Sequence, residues 1–460
     1  MATTAGGGSD TTLTSQTEAF LLNTATITIK DTIAIDLTAV IDEIEIFEDI
    51  FKPSITGSIT INDFVGGLEK YAFTGGEILK IKVSMPSDGN ITVFNRDNLI
   101  VHEFSKINAD STGNLKYKLY FTSDSALNSL KRRVFKSFGA TRGVSDIANV
   151  LYQNMSSDGT STKIKINASP DRLTNTFLSP GYTPIDAINN LAKRSSSDGK
   201  YYLFFERLNY STTGEVYHHY FTSIDDIITK WTDFQKISGN QLPTIKYNPA
   251  SAYFTTTKPE YNIRAKTVQY ENNYNHLSSM VGGFYNSRIR SLNLLTRRYT
   301  DTYINYKDNV DSSGVVYTNK FIETSNYFAT YDTNEYPGER LVVAPMNDSF
   351  SKKNEWIKND TYGAFLNSNI RIIVDIAGGT NRLGAGDIID LRLPSRMYKA
   401  VNIESSATTD DALYSGKYII TACRHNLSKL GYTKKLELSR GNFTLNLDNL
   451  ISRTQPFNGF

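Results

Sequence analysis

The chain has 460 residues, with 49 Lys and Arg against 47 Asp and Glu, a formal net charge of +2. That length is enough for about three domains, and so even a charge balance gives no electrostatic case for nucleic-acid recognition. Aromatic residues make up 12% (28 Tyr, 24 Phe) while hydrophobic residues reach only 39%, which suits strands, polar loops and tyrosine-lined interfaces better than long helices.

Residues 1–18 are rich in Ala, Thr, Gly and Ser and read as a flexible N-terminal arm rather than the apolar stretch of a signal peptide. No segment approaches the ~20 consecutive apolar residues of a membrane span. Residues 19–123 read as a first β-barrel. Period-two patterning runs through Ile44/Ile46, Ile59/Ile61, Leu79/Ile81/Val83 and Tyr117/Leu119/Phe121, and successive strand side chains face opposite ways. Turn signals at Pro53-Ser54, Gly66-Gly67, Gly75-Gly76, Asp88-Gly89 and Thr112-Gly113 separate the strands, as in antiparallel barrels and sandwiches.

The pattern changes at residue 124, where an α/β insert spans 124–243. Val144, Ile147, Ala148 and Leu151 fall at helical spacing. Thr183 is placed to cap a second helix, with Pro184 at its first position, Asp186 completing a capping box and Ile185, Ile188, Leu191 and Ala192 as its apolar stripe. Asp198-Gly199 then turns the chain into a strand at Tyr201–Glu206, paired with one over 216–222. Lys131-Arg132-Arg133 reads as a solvated helix face. No glycine-rich phosphate loop follows a strand, which excludes a nucleotide-binding βαβ unit.

Strands return over 244–306 and 366–440 as a second β-barrel. Residues 307–365 read as an insertion with a helical pattern near its end (Trp356, Ile357, Phe365), and 441–460 as a polar C-terminal tail. The expected fold class is therefore mainly β with an α/β insert: two similar antiparallel β-barrels flanking a small α+β domain.

Catalytic signals are missing. His102, His218, His219, His276 and His425 show no metal-ligand spacing and read as ordinary strand histidines. The single cysteine, Cys423, can form no intrachain disulfide and reads as a small buried hydrophobe. No Cys–His pair or GxSxG elbow supplies a nucleophile. The glycine run 378–386 lacks the GK[ST] of a phosphate loop and reads as a hairpin loop. Asp308, Asp311 and Gly314 echo a calcium loop without its closing glutamate. The acid pairs Glu43/Glu45, Asp225/Asp226 and Asp410/Asp411 read as solvated. The expectation is a chain with no catalytic, cofactor-binding or metal residues.

One internal echo stands out. GEILKIKV (76–83) and GDIIDLRL (386–393) each start with a Gly-acid pair, Gly76-Glu77 and Gly386-Asp387, after a glycine-rich turn. A pair of strands follows each copy: Leu99–Ile107 with Lys116–Phe121, and Tyr418–Leu427 with Lys434–Leu438. This reads as one β-unit used twice.

The order barrel, insert, barrel, with SPGYTPIDAINNLAKRSSSDGKYYLFFE (179–206), LGAGDIIDLRLPS (383–395) and YIITACRHNLSKLGYTKKLELSRG (418–441), resembles the baseplate hub protein of T-even-type contractile-tailed phages and the hub portion of type VI secretion spike proteins. The resemblance covers 19–440 in organisation and short motifs. It implies a homotrimeric ring of pseudo-sixfold symmetry that joins a hexameric tail tube to a trimeric central spike. It further implies a lumen through which DNA passes without sequence recognition, and a place in the virion tail baseplate after assembly in the host cytoplasm. Baseplate wedge and tape-measure proteins are expected as further neighbours. The chain ends soon after the second barrel, so a separately encoded spike is expected, with Phe457 and Phe460 offered as spike contacts. The alternatives are a glycan-binding tail fibre or receptor-binding β-protein, and a carbohydrate-active enzyme.

Overall fold

In a computed structural model the structure describes residues 19–29, 33–64, 66–70, 73–85, 91–109, 114–139, 142–156, 159, 163–167, 177–195, 201–208, 217–229, 242–247, 262–273, 286–293, 297–305, 338–341, 370–378, 383–394, 410–411 and 414–440. The N-terminal arm, the calcium-loop echo at 308–314, the helical pattern expected after 348 and the tail with Phe457 and Phe460 lie outside the described residues.

The first unit contains β1 (Leu21–Ile29), β2 (Ile33–Asp36), β3 (Ile41–Asp49), β4 (Thr56–Asp63), a single helical turn α1 (Gly67–Lys70), β5 (Ile78–Met85), β6 (Ile91–Ala109) and β7 (Leu115–Ser123). Its strands lie in the order β3-β4-β7-β6-β5-β1-β2. The alternation seen in the sequence puts Ile44, Ile46, Ile59, Ile61, Leu79, Ile81, Val83, Leu119 and Phe121 into one core. Gly57 leaves room for the Phe121 ring: a Cβ there would lie 2.3 Å from Phe121 Cζ.

The insert follows as α2 (Asp124–Leu130), β8 (Val134–Phe138), α3 (Val144–Gln153), β9 (Ile164–Asn167), β10 (Phe177–Tyr182), α4 (Pro184–Arg194), β11 (Tyr202–Glu206), β12 (His219–Ser223) and α5 (Ile224–Thr229). β8 pairs with β10, and β12 pairs antiparallel with β11 and parallel with β9. The expected cap of α4 is present: Asp186 N donates to Thr183 Oγ1 (3.1 Å), and that hydroxyl donates to Asp186 Oδ2 (2.7 Å). The buried face of α4 is Ala187, Ile188, Leu191 and Ala192, with Ile185 only half-buried. Lys131, Arg132 and Arg133 are an exposed turn closing α2, not a helix face.

The second unit contains β13 (Thr244–Lys246), β14 (Asn262–Asn273), β15 (Asn286–Asn293), β16 (Arg298–Asn305), β17 (Gly338–Leu341), β18 (Ile370–Ala377), β19 (Ile388–Arg392), β20 (Gly416–Ser428) and β21 (Gly431–Arg440). Six of these strands, β13-β14-β18-β21-β20-β19, close into a barrel because β19 pairs with both β20 and β13. Its core holds Ile370, Ile372, Val374, Ile376, Ile389, Leu391, Leu436 and Leu438. Strands β15, β16 and β17 form a separate small sheet. The glycine run at 378–386 is not a hairpin loop. It joins β18 to β19, which have β21 and β20 between them.

Five strands recur. The order β3-β4-β7-β6-β5 matches β14-β18-β21-β20-β19, with the same sequence order within each set. Bulges recur as well: β6 slips against β7 between Val101 and Glu103, and β20 slips against β21 between Ile420 and Ala422. β3 slips against β4 between Ile41 and Glu43, and β14 slips against β18 between Ala265 and Thr267. The two sets are joined through β20, whose residues Ala422–Ser428 pair antiparallel with Glu43–Asp49 of β3. Both units thus share one 13-stranded sheet. Among the described residues no ladder joins β2 to β3, because the outer edge of β3 is taken by β20.

Candidate functional site

The Gly-acid pairs of the sequence echo occupy matching turns. Gly76 and Gly386 have φ of 93° and 89°, left-handed values that favour glycine because a Cβ would crowd the backbone. Gly76 N donates to Val101 O (2.7 Å) and Val101 N to Glu77 O (3.0 Å); Gly386 N donates to Ile420 O (2.7 Å) and Ile420 N to Asp387 O (2.8 Å). Each acid side chain also closes its own turn. Glu77 accepts from Thr74 N (2.7 Å) and Gly75 N, and Asp387 accepts from Gly384 N (2.8 Å).

At Asp387 the similarity ends, because the second turn sits in a buried polar junction. Arg207, which follows β11, grips Asp387 with two parallel N–H donors at 2.9 and 3.0 Å. Arg207 and Asp387 are 5% and 1% exposed. Arg96 of β6 donates to Arg207 O (2.9 Å) and pairs with Glu206 (3.3 Å). Glu206 in turn accepts from Ile55 N (3.0 Å) and lies 3.7 Å from His219 Nε2. Glu48 of β3 shares the inward phase of Ile44 and Ile46. It accepts from Leu208 N and from Ala385 N (2.9 Å), and lies 3.6 Å from His425 Nε2. His425 Nδ1 meets Tyr432 Oη (2.8 Å), and Lys434 Nζ donates to Leu383 O (3.0 Å). First unit, insert and second unit are therefore cross-linked by charge.

Burial decides most protonation states here. It pushes the His219 imidazole down to about 4, against the pull of Glu206. It also lowers His425, against the Glu48 hydrogen bond. For Glu48 burial acts upward, but the adjacent His425, the Arg207 charge and the Ala385 N–H outweigh it and hold the carboxyl below its usual value. Burial opposes both charges of the Arg207–Asp387 pair; it wins at Asp387, whose carboxyl is raised, and loses to the Asp387 charge at Arg207, which is raised too. A guanidinium does not give up its proton in a protein, and a two-pronged contact suits a carboxylate, so we describe the pair as ionised.

Beside His425 a space of about 10 Å³, lined by Ile46, Val83, Phe94, Leu208 and Tyr432, has room for no more than one water. The ligand atoms of Glu48, Cys423 and His425 come within 4.8 Å of one another. They fit a metal poorly: Glu48 is already bound by two backbone N–H groups, and burial pushes the Cys423 thiol far up, away from the thiolate a metal needs. The arrangement can lock units together.

Sequence reasoning singled out Asp387 as a repeat mark but missed Glu48, Arg207, Glu206 and His219 as its neighbours. Two signals were available: an acid in phase with Ile44 and Ile46, and charges directly after the apolar strand YYLFF (201–205). Glu45, expected in solvent, is 6% exposed and lies between Lys118 (3.0 Å) and Arg424.

No protein-family model matches the sequence, and no curated protein matches it. Solved structures do. A prophage MuSo2 43 kDa tail protein from Shewanella oneidensis aligns with a TM-score of 0.51 and 9% identity over 91% of this chain and 98% of its own. A tail protein from Neisseria meningitidis aligns with a TM-score of 0.50 and 11% identity over 92% of this chain and 97% of its own. The chain has the fold of phage tail proteins. At such identities the likeness is one of fold, so the phage-tail fold sets the frame and the roles of individual residues rest on the geometry above.

Proposed function

We propose that the chain is a non-enzymatic structural hub subunit of a contractile phage tail baseplate. Three copies form a ring that joins the hexameric tail tube to the trimeric central spike. The observation that supports this reading most is the recurrence of β3-β4-β7-β6-β5 as β14-β18-β21-β20-β19, with its bulges and its Gly-acid turns, inside one polypeptide. Two alike units per chain let a threefold ring offer six near-equivalent faces to a sixfold partner. The buried junction fits a load-bearing part, since charge cross-links fix the two units relative to each other. The net charge of +2 fits a lumen that lets DNA through without holding it. Wedge and tape-measure proteins are the expected outer and inner neighbours, and Phe457 and Phe460 of the tail are the proposed spike contacts.

Native mass spectrometry and negative-stain imaging of the purified chain test the reading. A trimer with a central hole is expected, bound by co-expressed tube and spike proteins. Deleting residues 441–460 should weaken spike capture and leave the ring intact. A chain that stays monomeric and binds or cleaves a glycan would overturn the proposal.

A further inference from the structure

The small sheet of β8 and β10 has one face in the core of the insert and one in solvent. Val134, Phe138 and Phe177 fill the inner face. On the outer face the register sets Phe135 opposite Pro180 and Ser137 opposite Leu178, since alternate strand residues point the same way. Phe135 is 79% and Leu178 54% exposed, and Pro180 is exposed as well. The Phe135 ring is held in place. β10 bulges between Pro180 and Tyr182, and Gly181, at φ 89°, lets the ring lie against its backbone. A Cβ on Gly181 would fall 2.7 Å from Phe135 Cε1.

Positive charge gathers around the same sheet. Between Ser125 and Ser145 the chain carries Lys131, Arg132, Arg133, Lys136 and Arg142 and no Asp or Glu, although its net charge is only +2. All five cations are exposed. Arg132 donates to Asn154 O (2.7 Å), and Lys136 lies over the Phe138 ring at 5.3 Å. None of the five meets a carboxylate among the described residues. Nearby acids are already engaged: Asp124 accepts from Ser125 N (2.9 Å) and Asp186 from Thr183 Oγ1 (2.7 Å).

We propose that this face docks an acidic segment of a different protein, one in which carboxylates flank an aromatic or branched aliphatic side chain. The apolar side chain seats against Phe135, Leu178 and Pro180, and the carboxylates meet Lys131, Arg133 and Lys136. Exposed apolar side chains inside a charged rim have the anatomy of a docking surface, and cations of one sign select a partner of the other. A ring already fixed by its own backbone loses little freedom on binding. A nucleic acid fits less well, because bases stack on successive flat side chains and here a single ring has leucine and proline for neighbours. The proposal does not depend on the ring of copies, since neither the sheet nor the cations belong to the recurring strands.

Selection of a random-peptide library on the full-length chain tests this, with Phe135→Ser and Leu178→Ser chains as counter-targets. Both side chains are exposed, so both variants should melt with the parent. Enriched peptides are expected to carry Asp and Glu around Phe, Trp, Leu or Ile. A synthetic peptide from that pool should bind the parent about tenfold more tightly than either serine variant, the loss expected for one interfacial anchor. Its affinity should also fall with added salt and in a chain carrying Arg133→Glu and Lys136→Glu. Enriched peptides without an acidic excess, or peptides that bind parent and serine variants equally, overturn the proposal. A labelled oligothymidylate that binds the parent and is lost in Phe135→Ser overturns it in favour of a nucleic acid. Self-association of the parent that Phe135→Ser abolishes overturns it in favour of a second copy of this chain.

Discussion

Replacing Arg207 with Met removes the guanidinium and keeps most of the aliphatic stem. Asp387 is 1% exposed; it keeps the Gly384 N–H but loses the two-pronged partner that offsets its desolvation. Breaking one side of a buried ion pair costs about 3–5 kcal/mol. Adding Asp387→Asn removes the stranded charge while an amide oxygen can still accept from Gly384 N. The double variant should therefore cost about 1–2 kcal/mol, about 2–3 kcal/mol less than Arg207→Met alone, as expected for coupled neighbouring sites. A chain with several cores does not unfold in one step, so the suitable readout is hydrogen exchange in the 383–388 segment. A loss of about 3 kcal/mol speeds exchange there roughly 100-fold. Exchange within fivefold of the parent chain in Arg207→Met, or a double variant worse than the single one, would refute the account of the junction as an ionic clamp.

Other outcomes follow from local geometry. Gly57→Ala would put a Cβ 2.3 Å from Phe121 Cζ and 2.4 Å from Glu45 O, so calorimetry should show the first unit destabilised by about 1–3 kcal/mol; an unchanged melting profile would contradict that packing. Gly76→Ala and Gly386→Ala force alanine to φ near 93° and 89°, and each should cost about 1–3 kcal/mol in urea titrations. Tolerance at one site but not the other would argue against equivalent turns. His219 is held neutral, at about 4 in the folded chain, below its unfolded value of about 6.5. The unfolded state thus binds the extra proton first, so the contribution is complete above about pH 6.5 and is lost as pH falls toward 4, about 3 kcal/mol in all. His219→Gln should flatten that part of the stability–pH curve, and a curve with unchanged slope would remove His219 as its source.

The sequence by itself determined what depends on a few neighbouring residues. Alternation made β5, β7, β18 and β21 legible, and Thr183, Pro184 and Asp186 announced α4 with its cap. The Gly-acid echo exposed the recurring turn at Gly76 and Gly386 because a left-handed glycine followed by a turn-closing acid is a local requirement. The short helices α2 and α5 escaped, since so few residues carry no period.

Only the tertiary structure decided who pairs with whom. Arg207 and Asp387 are 180 residues apart in sequence, and an acid on a strand reads alike whether water or a guanidinium lies opposite it. That ambiguity is why Glu45 was expected in solvent and Glu48 went unnoticed. The same holds for the seam. The backbone edges of β3 and β20 are chemically the same as any other strand's, so their pairing follows from the shapes of two folded units rather than from either strand's residues.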